Sequence, residues 1–164
     1  MSIKIGVISD THIPERAKTL PKKILDDFST VDMIIHAGDF IDIEVLHKLQ
    51  NLAKVIAVAG NMDFLEIKNE LKEQEIIKVG DVKIAITHGF GPPNELVELL
   101  KKAFKKEKPN AIIFGHSHQP MNEIIDGTLF FNPGSPTDKI FSPYNSYGIL
   151  EIKGKKITGK IIKL

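Results

Sequence analysis

Five of the strands that this sequence predicts end in side chains that commonly bind metals. The segments are Asp10-Thr11-His12, Gly38-Asp39, Gly60-Asn61, Thr87-His88-Gly89 and Gly115-His116-Ser117-His118. Together they supply two Asp, one Asn and four His, a set of oxygen and nitrogen ligands that suits two adjacent transition-metal ions. Because these segments are far apart in the chain, they converge only in a fold that gathers its strand ends at one edge. The pattern therefore constrains the architecture and the chemistry together.

The first half of the chain predicts a parallel sheet. Three largely apolar runs, residues 3–9, 32–36 and 55–59, are typical of strands buried on both faces. Helical patterns cover residues 22–28 and 41–49, and a further helix is predicted from Asp63, as its N-cap, to about residue 72. Strands that alternate with helices in this way form right-handed βαβ crossovers.

The second half of the chain is richer in hairpins. Strand pairs are predicted at residues 75–79 and 82–87, 122–125 and 128–131, and 146–153 and 156–162. A helix over residues 93–106 and a short strand over residues 111–114 lie between the first two pairs. The 164 residues fit one α/β domain, residues 1–164, in which two β-sheets pack face to face between outer helices (an αββα sandwich).

Composition excludes several classes of function. The chain has no Cys, so any metal is held by nitrogen and oxygen ligands. Its net charge of +1 is spread evenly, which argues against a long nucleic acid as partner. No apolar run reaches the ~20 residues of a membrane span, and the chain starts as a strand rather than a signal peptide. We therefore expect a cytoplasmic protein that acts on a small molecule and not at a membrane.

The order of these motifs resembles the calcineurin-like metallophosphoesterases. The spacing and the later Asn132-Pro133-Gly134-Ser135 are similar to the small single-domain phosphodiesterases of that superfamily. The resemblance assigns one metal ion to Asp10, His12, Asp39 and His118. It assigns a second ion to Asp39, Asn61, His88 and His116, so that Asp39 bridges the two, and it makes Asp39, Asn61 and His88 the expected catalytic residues.

The resemblance implies a metal-dependent phosphodiesterase in which a hydroxide between two divalent ions attacks a small phosphodiester. The ions are Mn, Ni, Co, Fe or Zn, since nitrogen and oxygen ligands suit all of them; the physiological substrate and the oligomeric state stay open. A phosphomonoesterase is the close alternative. A non-catalytic scaffold of the same fold, similar to a retromer trafficking subunit, is disfavoured because all seven ligand positions are filled.

One position departs from the family pattern. Members typically carry His after the Gly-Asn pair, where it is thought to protonate the leaving group, but this chain carries Met62. Methionine has no proton to donate, which predicts a preference for esters with good leaving groups.

The remaining candidates concern substrate binding. Arg16 is the only arginine and so the only bidentate clamp for a phosphate. The resemblance makes Asn132 and Ser135 candidates either to contact substrate or to hold a ligand histidine. Lys139 stands roughly where relatives often have an arginine. Two sets of residues have alternative interpretations. His36 is either a proton donor near the site or a buried, hydrogen-bonded histidine, and the phenylalanines beside the motifs form either an apolar platform for substrate or part of the core (Phe40, Phe90, Phe141).

Overall fold

The computed structural model describes residues 1–164, and ten strands form two five-stranded sheets. In chain order the strands are β1 (Ser2–Ile8), β2 (Met33–His36), β3 (Lys54–Ala57), β4 (Gln74–Val79), β5 (Val82–Thr87), β6 (Ala111–Ile113), β7 (Met121–Ile125), β8 (Thr128–Asn132), β9 (Ser146–Lys153) and β10 (Lys156–Lys163). The first sheet has the order β10-β9-β1-β2-β3 and the second β4-β5-β6-β8-β7.

Both predicted styles of strand pairing are confirmed. Strands β1, β2 and β3 are parallel, and the three predicted hairpins are β4–β5, β7–β8 and β9–β10. The last hairpin joins the first sheet through antiparallel pairing of β9 with β1. In the second sheet β5, β6 and β8 are parallel, so both sheets are mixed.

Four α-helices cover the outer faces of the sheets. They are α1 (Lys22–Phe28), α2 (Ile43–Gln50), α3 (Leu65–Glu70) and α4 (Leu96–Ala103), and a 3₁₀ turn over Pro93–Glu95 precedes α4. Helix α2 begins two residues later than predicted because Asp42 caps it, accepting a hydrogen bond from the backbone N–H of Glu44 at 3.0 Å.

Helix α3 corrects one prediction, because its N-cap is Phe64 and not Asp63. The carboxylate of Asp63 is buried and accepts hydrogen bonds from the backbone N–H groups of Asp39, Ile41 and Gly60 over 2.7 to 3.0 Å. An aspartate that caps a helix and an aspartate that joins two loops can stand in the same local sequence. The sequence pattern therefore did not distinguish these two roles for Asp63.

Alternation along each strand divides the core into layers. Ile5 and Val7 of β1 pack between the two sheets with Ile84 and Ile86 of β5, whereas Ile8 packs under α1 and α2. A third cluster packs α4 against the outer face of the second sheet; it includes Ala85, Leu100, Ile112 and Phe130. The layers are thus helix, sheet, sheet, helix, which confirms the αββα sandwich. No helix in the structure has the length and apolarity to cross a membrane.

Parallel pairing within each sheet places the carboxyl ends of β1, β2 and β3 at one edge, and those of β5 and β6 at one edge. Two hydrogen bonds then join the edges of the two sheets. Nδ1 of His88 lies 2.8 Å from the backbone oxygen of Ala37, and the backbone N–H of His116 donates to Oδ2 of Asp10 at 3.1 Å. The two sheets therefore bring their ligand-bearing ends to one place.

Candidate metal centre

Asp10 lies at the middle of the predicted ligands. Its Oδ1 is 3.2 Å from Nε2 of His118 and 3.7 Å from Nε2 of both His12 and His88. Its Oδ2 faces the protein instead, where it accepts hydrogen bonds from the Ser9 hydroxyl and from the backbone N–H of His116. One oxygen of this carboxylate is therefore fixed by the protein, while the other faces three imidazoles.

The two carboxylate oxygens of Asp39 likewise face different partners, one the protein backbone and the other two imidazoles. Oδ1 accepts a hydrogen bond from the backbone N–H of Met62 at 2.8 Å. Oδ2 lies 3.2 Å from Nε2 of His88 and 3.5 Å from Nε2 of His12. Because His12 and His88 are predicted ligands of different ions, a bridge through Asp39 would use the single atom Oδ2.

The residues form two groups whose ligand atoms all lie within 4.8 Å of one another, Asp10 with His12 and His118, and Asp10 with Asp39 and His88. All of these residues are buried. Several ligand atoms have no hydrogen-bond partner, namely Asp10 Oδ1, both ring nitrogens of His12 and Nε2 of His88. A buried polar atom without a partner costs ~1–3 kcal/mol, and a divalent cation would satisfy these atoms. The residues present therefore fit a metal ion.

Charge interactions set the protonation of the centre. Burial alone would raise the pKa of the Asp10 carboxyl, but the nearby His88, His118 and His12 outweigh burial and hold that pKa well below its usual range. Burial alone would lower the pKa of His88, yet Asp10 and Asp39 raise it to about 9. Asp10 and Asp138 likewise outweigh burial and raise the pKa of His118. Without metal, the nearby carboxylates thus favour a proton on the rings of His88 and His118, which a bound metal ion would displace.

The backbone at the site is strained. Five of the predicted ligands have positive φ angles: Asp10 (54°), His12 (44°), Asp39 (60°), His116 (70°) and His118 (60°). This left-handed region costs a residue with a side chain ~1–2 kcal/mol, and such residues cluster at functional sites because the surrounding structure holds them there. Asp and His adopt positive φ angles more often than most residues with a side chain, but the sequence alone does not show which of them do.

The glycines of the motifs make room for the carboxylates. A Cβ at Gly60 would overlap the carboxylate and the backbone nitrogen of Asp39, and a Cβ at Gly115 would overlap the side chains of Ser9 and Asp10. Neither glycine has a positive φ. The motifs Gly60-Asn61 and Gly115-His116 therefore carry glycine because another ligand approaches the backbone closely.

Asp138 is a functional residue that the sequence reasoning missed. Its Oδ2 lies 2.6 Å from Nδ1 of His118, and its Oδ1 lies 3.0 Å from Nη1 of Arg16. Burial would raise the pKa of Asp138, but His118 and the backbone N–H groups of Ile140 and Phe141 lower it to about 2. No pattern marks Asp138, because it follows a turn far from His118 in sequence and the contact exists only in the fold.

Hydrogen bonds to the ring nitrogens define the environments of two further histidines, His88 and His36. Nδ1 of His88 donates to the backbone oxygen of Ala37, which leaves Nε2 free to face Asp39. His36 is fully buried, stacks on Phe40 with ring centroids 3.5 Å apart, and accepts a hydrogen bond from the backbone N–H of Gly38. Burial lowers the pKa of His36 to about 3. Of the two interpretations of His36, the structure favours the buried, hydrogen-bonded histidine.

Asn61 and His116 lie at the margin of the centre. Asn61 is exposed, and Nε2 of His116 lies 3.0 Å from the backbone oxygen of Gly91. The ring of His116 is nevertheless next to that of His88, with centroids 5.4 Å apart. Their assignment to the second ion stays a prediction.

The three residues predicted to contact substrate have intramolecular partners. Arg16 forms the ion pair with Asp138. The amide of Asn132 donates to the backbone oxygen of Gly115 and to the Ser117 hydroxyl, and the hydroxyl of Ser135 donates to the backbone oxygen of Asp10. Asn132 and Ser135 have no exposed surface. These contacts let Asn132 and Ser135 position the loops that carry the predicted ligands, and contact of the three residues with substrate stays a prediction.

A cavity of about 430 Å³ opens beside the centre. Asn61, His88 and Phe90 are among the residues that line it. The structure separates the three phenylalanines near the motifs, since Phe40 is buried in the core while Phe90 and Phe141 are 50% and 64% exposed. The interpretation as part of the core therefore holds for Phe40 and not for Phe90 or Phe141.

Comparison with known proteins agrees with this geometry. The chain is 45% identical over 135 residues to a probable metallophosphoesterase of Methanocaldococcus jannaschii, covering 81% of this chain and 68% of the relative. It is 34% identical over 146 residues to a phosphodiesterase of the same organism, covering 80% of this chain and 83% of that protein.

The fold also has close structural counterparts. Vacuolar protein sorting 29 from Cryptosporidium parvum superposes with a TM-score of 0.85 at 22% identity, covering 99% of this chain and 92% of the other. Residues 3–155 match the calcineurin-like phosphoesterase superfamily domain. With its ligand-bearing strand ends gathered between two mixed sheets, this chain belongs to the calcineurin-like phosphoesterase superfamily.

Proposed function

We propose that the protein is a phosphodiesterase that hydrolyses small phosphodiesters with two divalent metal ions. The observation that carries the proposal is the set of buried, unpartnered ligand atoms on Asp10, His12 and His88. Their desolvation is costly, and two adjacent cations would satisfy them within one centre. The phosphodiesterase relative and the family match support hydrolysis of a phosphoric ester.

Two overlapping sets of ligands would hold the ions. Asp10, His12, Asp39 and His118 form the first set, and Asp39, Asn61, His88 and His116 form the second. Oδ2 of Asp39, which lies between rings of both sets, supports the bridging role. When bound, the metals supply an activated water and positive charge against the phosphate.

The protein's own residues tune that chemistry. Nδ1 of His118 contacts Asp138, and Nδ1 of His88 contacts the Ala37 carbonyl. These hydrogen bonds orient the two rings, as the hydrogen-bond partners of metal-binding histidines usually do. Nη1 of Arg16 is taken up by the ion pair with Asp138, which leaves the only arginine with fewer donors for a phosphate. This favours a diester over a monoester, because a diester carries less charge and needs fewer cations.

The assay uses metal-stripped protein with Mn²⁺, Ni²⁺, Co²⁺ or Zn²⁺ added back. Bis(p-nitrophenyl) phosphate and p-nitrophenyl phosphate are compared as substrates. We expect hydrolysis only with metal and faster turnover of the diester. Faster turnover of the monoester would instead identify a phosphomonoesterase, and no turnover with any metal would favour the non-catalytic scaffold.

Asp39→Ala tests the assignment of the bridging ligand. We expect loss of activity with the fold retained, and full activity in this variant would overturn the assignment. A cytoplasmic location stays a prediction from the sequence.

A further inference from the structure

The cavity beside the centre has one apolar wall and one cationic side chain. Phe90 presents half of its surface, and Lys68 is the only lysine among the lining residues. The volume of about 430 Å³ falls within the usual range for small-molecule pockets. Because Asn61 and His88 line the same cavity, a group placed here would lie next to the second predicted ion.

Lys68 is held close to the position where the family pattern is broken. It lies on α3, and its Nζ donates a hydrogen bond to the backbone oxygen of Asn61 at 3.2 Å. That oxygen belongs to the peptide bond between Asn61 and Met62. The ammonium therefore lies beside the backbone of Asn61 and Met62, and Met62 stands where the family resemblance predicts a histidine.

Among the other residues that line this cavity, His88 is a predicted metal ligand, and Gln74 and Thr87 offer only neutral donors. Arg16 is paired with Asp138, and Lys139 is exposed and does not line the cavity. Met62 has no proton to give. Glu73 also lines the cavity, but an ionised carboxylate only accepts hydrogen bonds. A lysine ammonium, in contrast, carries three donors and a positive charge.

Building on the proposed function, we propose that the Lys68 ammonium donates a hydrogen bond to the leaving-group oxygen. The oxygen of a water molecule bonds to phosphorus and releases its proton to solvent, while the bond between phosphorus and the leaving oxygen breaks. The leaving oxygen keeps the bonding electron pair, accepts a hydrogen bond from the Lys68 ammonium and takes its proton from solvent. With Phe90 in the same wall, the substrate class is a phosphodiester whose leaving group is an aryl or other flat apolar group.

The test compares two diesters that differ in the leaving group. Phenol is a poorer leaving group than p-nitrophenol, so diphenyl phosphate needs the donor more than bis(p-nitrophenyl) phosphate does. Removing a donor aimed at charge that develops in the transition state costs ~10²-fold or more, and we expect Lys68→Met to lose about that factor in kcat/KM on diphenyl phosphate and much less on the nitrophenyl ester. Lys68→Arg keeps the charge and the hydrogen bond, and is expected to fall between Lys68→Met and the wild type.

Lys72→Met is the matched control, since Lys72 is exposed and nearby in sequence but does not line the cavity. Affinity for Mn²⁺, measured by calorimetry, is expected to be unchanged in both Met variants. Equal losses on the two esters, or weakened Mn²⁺ binding in Lys68→Met, would overturn the assignment and leave Lys68 a support for Asn61. If the wild-type protein hydrolyses neither ester with any metal, the proposed function itself fails, together with this inference.

Discussion

Nδ1 of His118 donates a hydrogen bond to Oδ2 of Asp138 over 2.6 Å. The acceptor is a carboxylate whose pKa is lowered to about 2, so the proton stays on Nδ1 and leaves Nε2 facing Asp10 at 3.2 Å. The other oxygen of Asp138 pairs with Arg16. The only arginine of the chain thus affects the centre indirectly, because it holds Asp138, which orients the predicted ligand His118.

Asp138→Asn should weaken metal binding. The amide keeps the shape of the side chain but loses the charge that orients His118 and balances Arg16. Changes behind a ligand histidine usually cost 10–100-fold in metal affinity, and we expect a loss of about that size for Mn²⁺ by isothermal titration calorimetry. Asp26→Asn is the control, since Asp26 is an exposed carboxylate paired with Lys22 on α1. Unchanged affinity in Asp138→Asn would contradict the orienting role.

Metal binding should release protons and strengthen as pH rises. Because Asp10 and Asp39 raise the pKa of His88 to about 9, the metal-free protein holds a proton on this ring at pH 7.5, and a metal ion must displace it. We expect release of about one proton or more per protein at pH 7.5. The apparent affinity should rise up to about pH 9 and then level off. Calorimetry in buffers of different ionisation enthalpy measures the release, and equal heats in all buffers would contradict it.

Gly60→Ala should disturb the predicted metal centre by steric overlap, without removing any ligand. The new Cβ would overlap the carboxylate and backbone nitrogen of Asp39, so Oδ2 of Asp39 would be displaced. We expect destabilisation by ~1–3 kcal/mol in urea unfolding and a marked loss of Mn²⁺ affinity.

Gly154→Ala provides the comparison for Gly60→Ala. Gly154 has a φ of +60° and no neighbour within 4 Å, so alanine there costs ~1–2 kcal/mol of backbone strain and should leave Mn²⁺ affinity intact. Equal effects of the two variants on metal affinity would show that the close approach to Asp39 is unimportant.

Met62→His should restore a proton donor. The backbone N–H of Met62 already donates to Asp39, so an imidazole at this position would lie near the centre. We expect kcat/KM on diphenyl phosphate to rise by ~10-fold or more, with little change on bis(p-nitrophenyl) phosphate. The gain should be larger in a Lys68→Met background, where the donor proposed above has been removed. If neither background gains activity on the poor leaving group, protonation does not limit turnover.

Much of the fold follows from local patterns in the sequence. Apolar runs and turn residues are short-range signals, so the parallel strands, the three hairpins and the two-sheet sandwich could be predicted. Boundaries were less accurate where a side chain had two possible partners. Asp63 looked like a helix cap, but its carboxylate holds the loop of Asp39, and only the tertiary structure distinguishes these roles.

The candidate site shows the same limit. The strand-end motifs identified the residues that gather around Asp10, because carboxylate and imidazole side chains can be recognised as metal ligands from residue type alone. The long-range partners carry no local signal, and Asp138 was missed for that reason. Arg16 was assigned to substrate because an arginine suits phosphate, and no local signal predicted its ion pair with Asp138. The positive φ angles of Asp10 and His118 were equally invisible, because the fold imposes them.

The most direct test of the central claim is anomalous X-ray diffraction from crystals of the protein with bound Mn²⁺. The account predicts two anomalous peaks, ~3.5–4 Å apart as in other two-metal sites, on either side of Oδ2 of Asp39. One peak should lie among Asp10, His12 and His118, and the other beside Asn61, His88 and His116. A single peak, or peaks away from Asp39, would contradict a two-metal phosphodiesterase centre in this protein.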